Sequence, residues 1–107
     1  MDEEDVKIEF IPPEKQGSQY NWANIIYNGQ RAGKARCLIE NNRLIIYSIN
    51  VYQDFEGHGF GKKFVNMAKR NFDEVVADRV RSTAIGFWEK MGFEADERHY
   101  NWIWRRK

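Results

Sequence analysis

The sequence predicts an α+β (mixed α/β) fold, a mostly antiparallel mixed sheet flanked by two main helices, and three observations carry that prediction. The first half alternates apolar and polar residues between turn signals, the pattern of half-buried strands. At Gly59 the apolar period lengthens from two residues to about 3.6, the pattern of an amphipathic helix. A short apolar run at 74–80 follows, and the helix between it and the preceding strand can serve as the crossover of a parallel pair.

Taken in order, residues 6–11 alternate apolar and charged side chains and read as a strand stopped by Pro12-Pro13. Residues 12–19 are a polar connection. Residues 20–27 resume a strand, Asn28-Gly29 is a strong hairpin signal, and 31–39 is the returning partner. Asn41-Asn42 marks a second turn before 43–52, rich in Ile and Tyr, which is the expected central strand. In the helix that follows, Phe60, Phe64, Met67, Ala68 and Phe72 share one arc while Lys62, Lys63, Asn66, Lys69 and Arg70 take the other. After the 74–80 strand, Ser82 is placed to cap a second helix. Its Ala84, Phe87, Trp88 and Met91 form an i, i+3, i+4, i+7 stripe that Gly92 ends. Residues 100–105 alternate Trp and polar residues as a last strand. No repeat, linker or low-complexity stretch interrupts the 107 residues, so a single domain spanning 1–107 is expected.

With 17 Lys+Arg against 16 Asp+Glu the net charge is +1, and no overall field selects nucleic acid or a membrane surface. Asp2-Glu3-Glu4-Asp5 and Arg105-Arg106-Lys107 read as solvated charged ends. No apolar run approaches the roughly 20 residues of a membrane span, and the acidic start is unlike a signal peptide, which points to the cytoplasm. Cys37 has no second cysteine to pair with and reads as a buried, inert thiol, and no Cys/His spacing suits a metal.

The stretch with chemical content is Asp54-Phe55-Glu56-Gly57-His58-Gly59-Phe60-Gly61-Lys62-Lys63. Glycines at every second position bare the backbone where a helix begins, and first-turn amides have no internal acceptor. Lys62 and Lys63 stand where the helix macrodipole disfavours positive charge, a penalty that a bound phosphate reverses. A dinucleotide fingerprint fails because Lys62 occupies its third glycine position, and a nucleotide P-loop fails because Lys63 replaces its Ser/Thr.

The run Val51-Tyr52-Gln53-Asp54-Phe55-Glu56-Gly57-His58-Gly59-Phe60-Gly61 resembles the acyl-CoA pyrophosphate loop of the GCN5-related N-acetyltransferase (GNAT) superfamily, Gln/Arg-x-x-Gly-x-Gly/Ala, with Glu56 replacing its first residue. Ala84-Ile85-Gly86-Phe87-Trp88-Glu89-Lys90-Met91-Gly92-Phe93 is similar to the second hallmark, Ala-x-x-Phe/Leu-Tyr-Glu-Lys-Leu-Gly-Phe, with Trp88 at the Tyr position. The two motifs stand in the family's order and span about half the chain. Family members usually carry two helices between the first and second strands, and 12–19 is too short for them.

The resemblance implies a sheet splayed between 44–52 and 74–80, with acetyl-CoA as cosubstrate lying in the gap. The main chain of Ile49, Asn50 and Val51 would hold pantetheine, and Glu56, Gly57, His58, Gly59, Phe60, Gly61 and Lys62 would surround the diphosphate, with Lys90 of the second motif added to that set. The implied reaction is direct attack of a primary amine, on a small molecule or a peptide or protein, on acetyl-CoA. Asn50, Tyr52, Asp78 and Trp88 are the candidate catalytic residues, Asp54 a further strand-end carboxylate, and Ser48 shares a face with Asn50. The family's Tyr acid does not carry over to Trp88, whose indole is a donor without a titratable hydroxyl. The acceptor side is either open or completed by a second subunit in a homodimer. Two other readings stand beside this one: a CoA-binding module without catalysis, and an adaptor using the aromatic and basic end Tyr100-Asn101-Trp102-Ile103-Trp104-Arg105-Arg106-Lys107, where core or dimer packing outweighs nucleic-acid stacking.

Overall fold

The structure, a computed structural model, describes residues 6–17 and 19–107. Its frame is one seven-stranded sheet in the order β1-β2-β3-β4-β5-β7-β6. The strands are β1 (Val6–Ile11), β2 (Asn21–Tyr27), β3 (Gln30–Glu40), β4 (Arg43–Val51), β5 (Glu74–Ala77), β6 (Glu94–Ala95) and β7 (Trp102–Arg105). All neighbours are antiparallel except β4 and β5. The acidic 2–5 segment lies outside the described residues.

The expected turns form for the expected reason. Asn28 and Gly29 both take positive φ, 51° and 79°, which a two-residue hairpin of right-handed twist needs. Asn41, at φ 55°, turns β3 into β4. Residues 12–19 are not wholly irregular, since Pro13–Gln16 makes one helical turn, α1, with Pro at its start and left-handed Gly17 at its end. One turn cannot replace two helices.

Helix α2 (Phe60–Asn71) crosses from β4 to β5 and buries Phe60, Phe64, Val65 and Ala68 against Leu44, Ile46, Val75 and Ala77 of the sheet. Each large apolar side chain so buried stabilises the fold by about 1.5–3 kcal/mol. Phe60 meets Tyr27 at 5.2 Å and Phe72 meets Phe10 at 6.4 Å between ring centres, tying both ends of α2 to the outer strands. Arg106 donates to the carbonyls of Lys69 (2.8 Å), Arg70 (3.3 Å) and Phe72 (3.1 Å), and Arg105 pairs with Glu74. The basic end is exposed as expected, but Arg106 also caps α2, because a helix C-terminus offers unpaired carbonyls and negative partial charge.

Helix α3 (Ile85–Lys90) lies beside α2: the Lys69 ammonium donates to the Met91 carbonyl and stands over the Phe93 and Trp104 rings. Ser82 does not cap it. A 3-10 turn, Ser82–Ala84, precedes α3, and no side chain caps either element. Gly92 ends it at φ 87°, with the amides of Gly92 and Phe93 donating to the carbonyls of Glu89 and Trp88, both at 3.0 Å. Trp102 is buried in the core, and Trp104 lies beneath Lys69 and Arg106, so the alternating tryptophans form packing rather than an exposed stacking face.

Candidate active site

The local sequence of β4 decides the geometry of the site. Pairing between β3 and β4 runs in step from Glu40↔Arg43 to Cys37↔Ile46, then skips Tyr47 and resumes at Arg36↔Ser48. Tyr47 is thus the extra residue of a β-bulge, which shifts the parity of the strand. Ile46 and Ile49, opposite Cys37 and Ala35, now share the core face, while Ser48 and Asn50, opposite Arg36 and Lys34, share the other.

The bulge also changes which backbone groups face β5. The Asp78 amide donates to the Ile46 carbonyl at 2.9 Å, the last rung between the two parallel strands, and beyond it Arg79 takes φ 50° and turns the chain away. For this reason β5 ends at Ala77, short of the expected 80. At the far end of β4 the Tyr52 amide donates to the Ala32 carbonyl, 2.8 Å, so strand alternation turns Asn50 toward β3 and the N–H and C=O groups of Ile49 and Val51 into the gap. The expected splay between the central strand and its parallel neighbour is present.

The gap opens into a cleft of about 650 Å³. Of the candidate residues, Ile49, Asn50, Val51, Glu56, Gly61, Asp78 and Trp88 line it. Trp88 does so from the core: it is 7% exposed, with ring centres 5.0 Å from Phe87 and 4.9 Å from Phe93. Tyr52 is half-buried at the foot of a 3-10 turn (Gln53–Phe55) and is not among the lining residues. Gly57, His58, Gly59 and Lys62 are exposed on the loop and first turn of α2. The Phe60 side chain is sealed in the core, leaving its amide for any ligand, and Lys90 is exposed at the C-terminal end of α3.

The start of α2 has the bare donors its glycines imply. Gly57 and Gly59 sit at φ 82° and 76°, the first internal bond runs from the Lys63 amide to the Gly59 carbonyl, and no side chain caps the helix. The amides of residues 59–62 therefore point outward without an internal acceptor. Gly61 faces α3, where a Cβ would make only ordinary contact with the Phe87 ring, at 3.9 Å.

Residues outside the candidate set also line the cleft, among them Arg36, Tyr47, Arg79, Arg81 and the apolar Val80, Ala84 and Phe87. The helical stripe already contained Ala84 and Phe87, but Arg36 reaches the site only through cross-strand register. Tyr47 titrates above the ordinary phenol range, chiefly through burial and then through the Asp78 carboxylate. Arg79 pairs with Asp78 at 4.0 Å. Cys37 is outside the cleft and fully buried.

A parallel rung that breaks into a gap, with bare amides at the next helix, is the arrangement that the resemblance implies for an acyl-CoA-binding sheet, and the comparisons agree on the family. The acetyltransferase (GNAT) family model matches residues 2–93, and the chain belongs to that family. An uncharacterised N-acetyltransferase of Oceanobacillus iheyensis is 38% identical over 50 residues, 47% of this chain and 31% of that protein. Another, of Halalkalibacterium halodurans, is 37% identical over 51 residues, 48% and 30% of the two chains. The matched stretch thus spans about a third of the curated relatives' length.

Among solved structures, a Bacillus subtilis acetyltransferase in complex with CoA superposes with a TM-score of 0.66 at 14% identity, covering 95% of this chain and 99% of that one. A mutant AtaT toxin bound to the C-terminus of its antitoxin AtaR and acetyl-CoA gives 0.71 at 11% identity, covering 94% and 93%. At these identities the likeness is one of fold.

Proposed function

We propose that the protein is an acetyl-CoA-dependent N-acetyltransferase that transfers the acetyl group to a primary amine by direct attack. The observation that carries this reading is the gap past the Ile46–Asp78 rung, edged by the backbone of Ile49 and Val51 and leading to the uncapped amides of 59–62. The residues suit the cosubstrate in kind: a strand edge for the amides of pantetheine, a helix start for a diphosphate, and apolar Val80, Ala84 and Phe87 between them. Family membership and the CoA and acetyl-CoA bound to structural neighbours support it.

In this reading Ile49 and Val51 bond the pantetheine arm as an added strand would, and their donors polarise the thioester carbonyl. Lys62 and the amides of 59–62 neutralise the diphosphate. Glu56, which lines the cleft, opposes them with its negative charge and lowers affinity for the cosubstrate. A neutral amine attacks the thioester carbonyl, the carbon–sulfur bond breaks, and the CoA thiolate leaves, with the proton lost by the amine passing to water or thiolate. A thiol pKa near ~8.5 makes that departure feasible without a dedicated acid, so Trp88 serves as wall rather than acid. Asp78 and Asn50 are placed to orient the amine by position, and no dedicated base is required. No helix among the described residues is long and apolar enough to cross a membrane.

A thermal-shift series with CoA, acetyl-CoA, ATP and NAD, followed by incubation with labelled acetyl-CoA and a panel of amines, tests the reading. The CoA compounds should raise the melting temperature selectively, and label should pass to at least one amine. A shift with ATP or NAD and none with CoA overturns the assignment. A CoA shift with no transfer to any acceptor supports the non-catalytic module.

A further inference from the structure

Arg36 occupies a position that the cosubstrate reading does not use. It lines the cleft from β3, directly opposite Ser48 and next to the bulge, roughly 10 Å along β4 before the strand reaches the phosphate-facing loop. Its guanidinium is held in place by two rings, 5.0 Å from the Tyr20 centroid and 5.7 Å from that of Tyr47, which themselves meet at 5.3 Å. Ring contact engages the cation's face and leaves its planar N–H edge to recognise another group. No ion pair among the described residues involves it, and its buried Nε has no hydrogen-bond partner there. The other two arginines of the cleft differ: Arg79 is 90% exposed and pairs with Asp78, and Arg81 is exposed.

We propose that Arg36 binds the carboxylate of the acceptor, so that the substrates are amines that also carry a carboxylate, the amino-acid class, rather than simple alkyl amines. The claim rests on the acetyl-transfer reading and adds its substrate class. A guanidinium fork matches a carboxylate in two parallel hydrogen bonds. Asp78 supplies the opposite charge in the same cleft, at the last β4–β5 rung beside Ile46, while Arg36 stands on β3 opposite Ser48, on the other side of the Tyr47 bulge. An amino acid laid there puts its ammonium on the Asp78 side, beside the last rung of the β4–β5 pair, and its carboxylate on Arg36; the ammonium loses its proton to water before the free amine attacks. Ser48, opposite Arg36, and Asn50, two residues on along the same strand face, also line the cleft.

The test measures kcat and KM on the full chain with acetyl-CoA and matched acceptors: L-phenylalanine against phenethylamine, L-tryptophan against tryptamine, L-leucine against isoamylamine. Each acid should exceed its amine in kcat/KM by about tenfold or more, chiefly through KM. Arg36→Gln should erase that preference while the thermal shift with CoA persists. Arg36→Lys, which keeps the charge and loses the fork, should retain part of it and serves as the second variant if the first folds poorly. Equal use of acids and amines by the unaltered protein, or a preference that survives Arg36→Gln, overturns the proposal. Transfer to none of the six with an intact CoA shift overturns it too and leaves cosubstrate binding standing. Absence of any CoA shift removes the acetyl-transfer reading, and this proposal falls with it.

Discussion

The amide of Asp78 donates to the carbonyl of Ile46 at 2.9 Å, and this bond is the point at which two parallel strands cease to be a sheet and become a cleft. On one side of it Leu44 and Val75 are sealed in the core. On the other, the bulge at Tyr47 has turned the polar groups of Ile49 and Val51 toward a gap with no strand to receive them. In the proposed reading the pantetheine arm, which pairs like a strand, takes up these groups.

Gly33 is the hinge of that arrangement on the β3 side. A Cβ at this position would lie 2.6 Å from the Asn50 carbonyl oxygen and 3.1 Å from the Val51 Cα, both backbone atoms that cannot swing aside. Gly33→Ala should therefore destabilise the fold by about 2–3 kcal/mol and weaken CoA binding by displacing Val51. Urea unfolding with and without CoA measures both. A midpoint equal to that of the unaltered protein would contradict so close an approach.

Gly59 separates phosphate binding from folding. It stands at φ 76°, yet a side chain there meets no atom within 4 Å, and Asp and Asn are the side chains that best tolerate this left-handed region. Gly59→Asp and Gly59→Asn should each cost only about 1 kcal/mol of stability. Gly59→Asp should also weaken CoA by at least about tenfold through charge repulsion. Gly59→Asn should bind nearly as before. Calorimetric titration distinguishes them, and equal affinities for the two variants would show that no phosphate sits near these amides.

Trp88 is a wall and a core residue at once. Removing its ring from between Phe87 and Phe93 should cost about 3–5 kcal/mol in Trp88→Ala. Trp88→Phe keeps most of the packing and deletes the indole donor, so its kcat should stay within about threefold of the original. A collapse of kcat with stability retained would assign the indole N–H a part in the reaction.

Cys37 gives an alkaline limit to stability. Complete burial pushes its thiol up to about 12, against an ordinary value near ~8.5 in the unfolded chain. Between those values the unfolded chain sheds a proton that the folded chain keeps. The unfolded state then binds fewer protons, and stability declines as pH rises, by up to about 1.4 kcal/mol per pH unit for this group. Below pH 8 it contributes no pH dependence. Unfolding midpoints from pH 8 to 10.5 should fall more steeply for the native chain than for Cys37→Ala, and parallel curves would refute the assignment. The same burial should keep the thiol unreactive toward alkylating reagents until the protein unfolds.

Local chemistry wrote much of this molecule legibly into the chain. Asn28-Gly29 and Asn41 turn where positive φ is tolerated, the 3.6-residue period of Phe60, Phe64 and Ala68 marks the buried face of α2, and Gly92 stops α3, because each depends only on neighbours a few residues away. The glycine loop and the Ala84-to-Phe93 motif likewise carry the family's pattern within a few consecutive residues. What tertiary structure alone decided is which strangers meet. The skipped register at Tyr47, the early end of β5 at Arg79, the two-residue strand β6 and the capping of α2 by Arg106 all depend on pairing between segments distant in sequence. The placing of Arg36 opposite Ser48 at the head of the cleft is of the same kind. Side-chain period reveals which face a residue takes, but the partner across a strand is set by register, and register is a property of the assembled sheet.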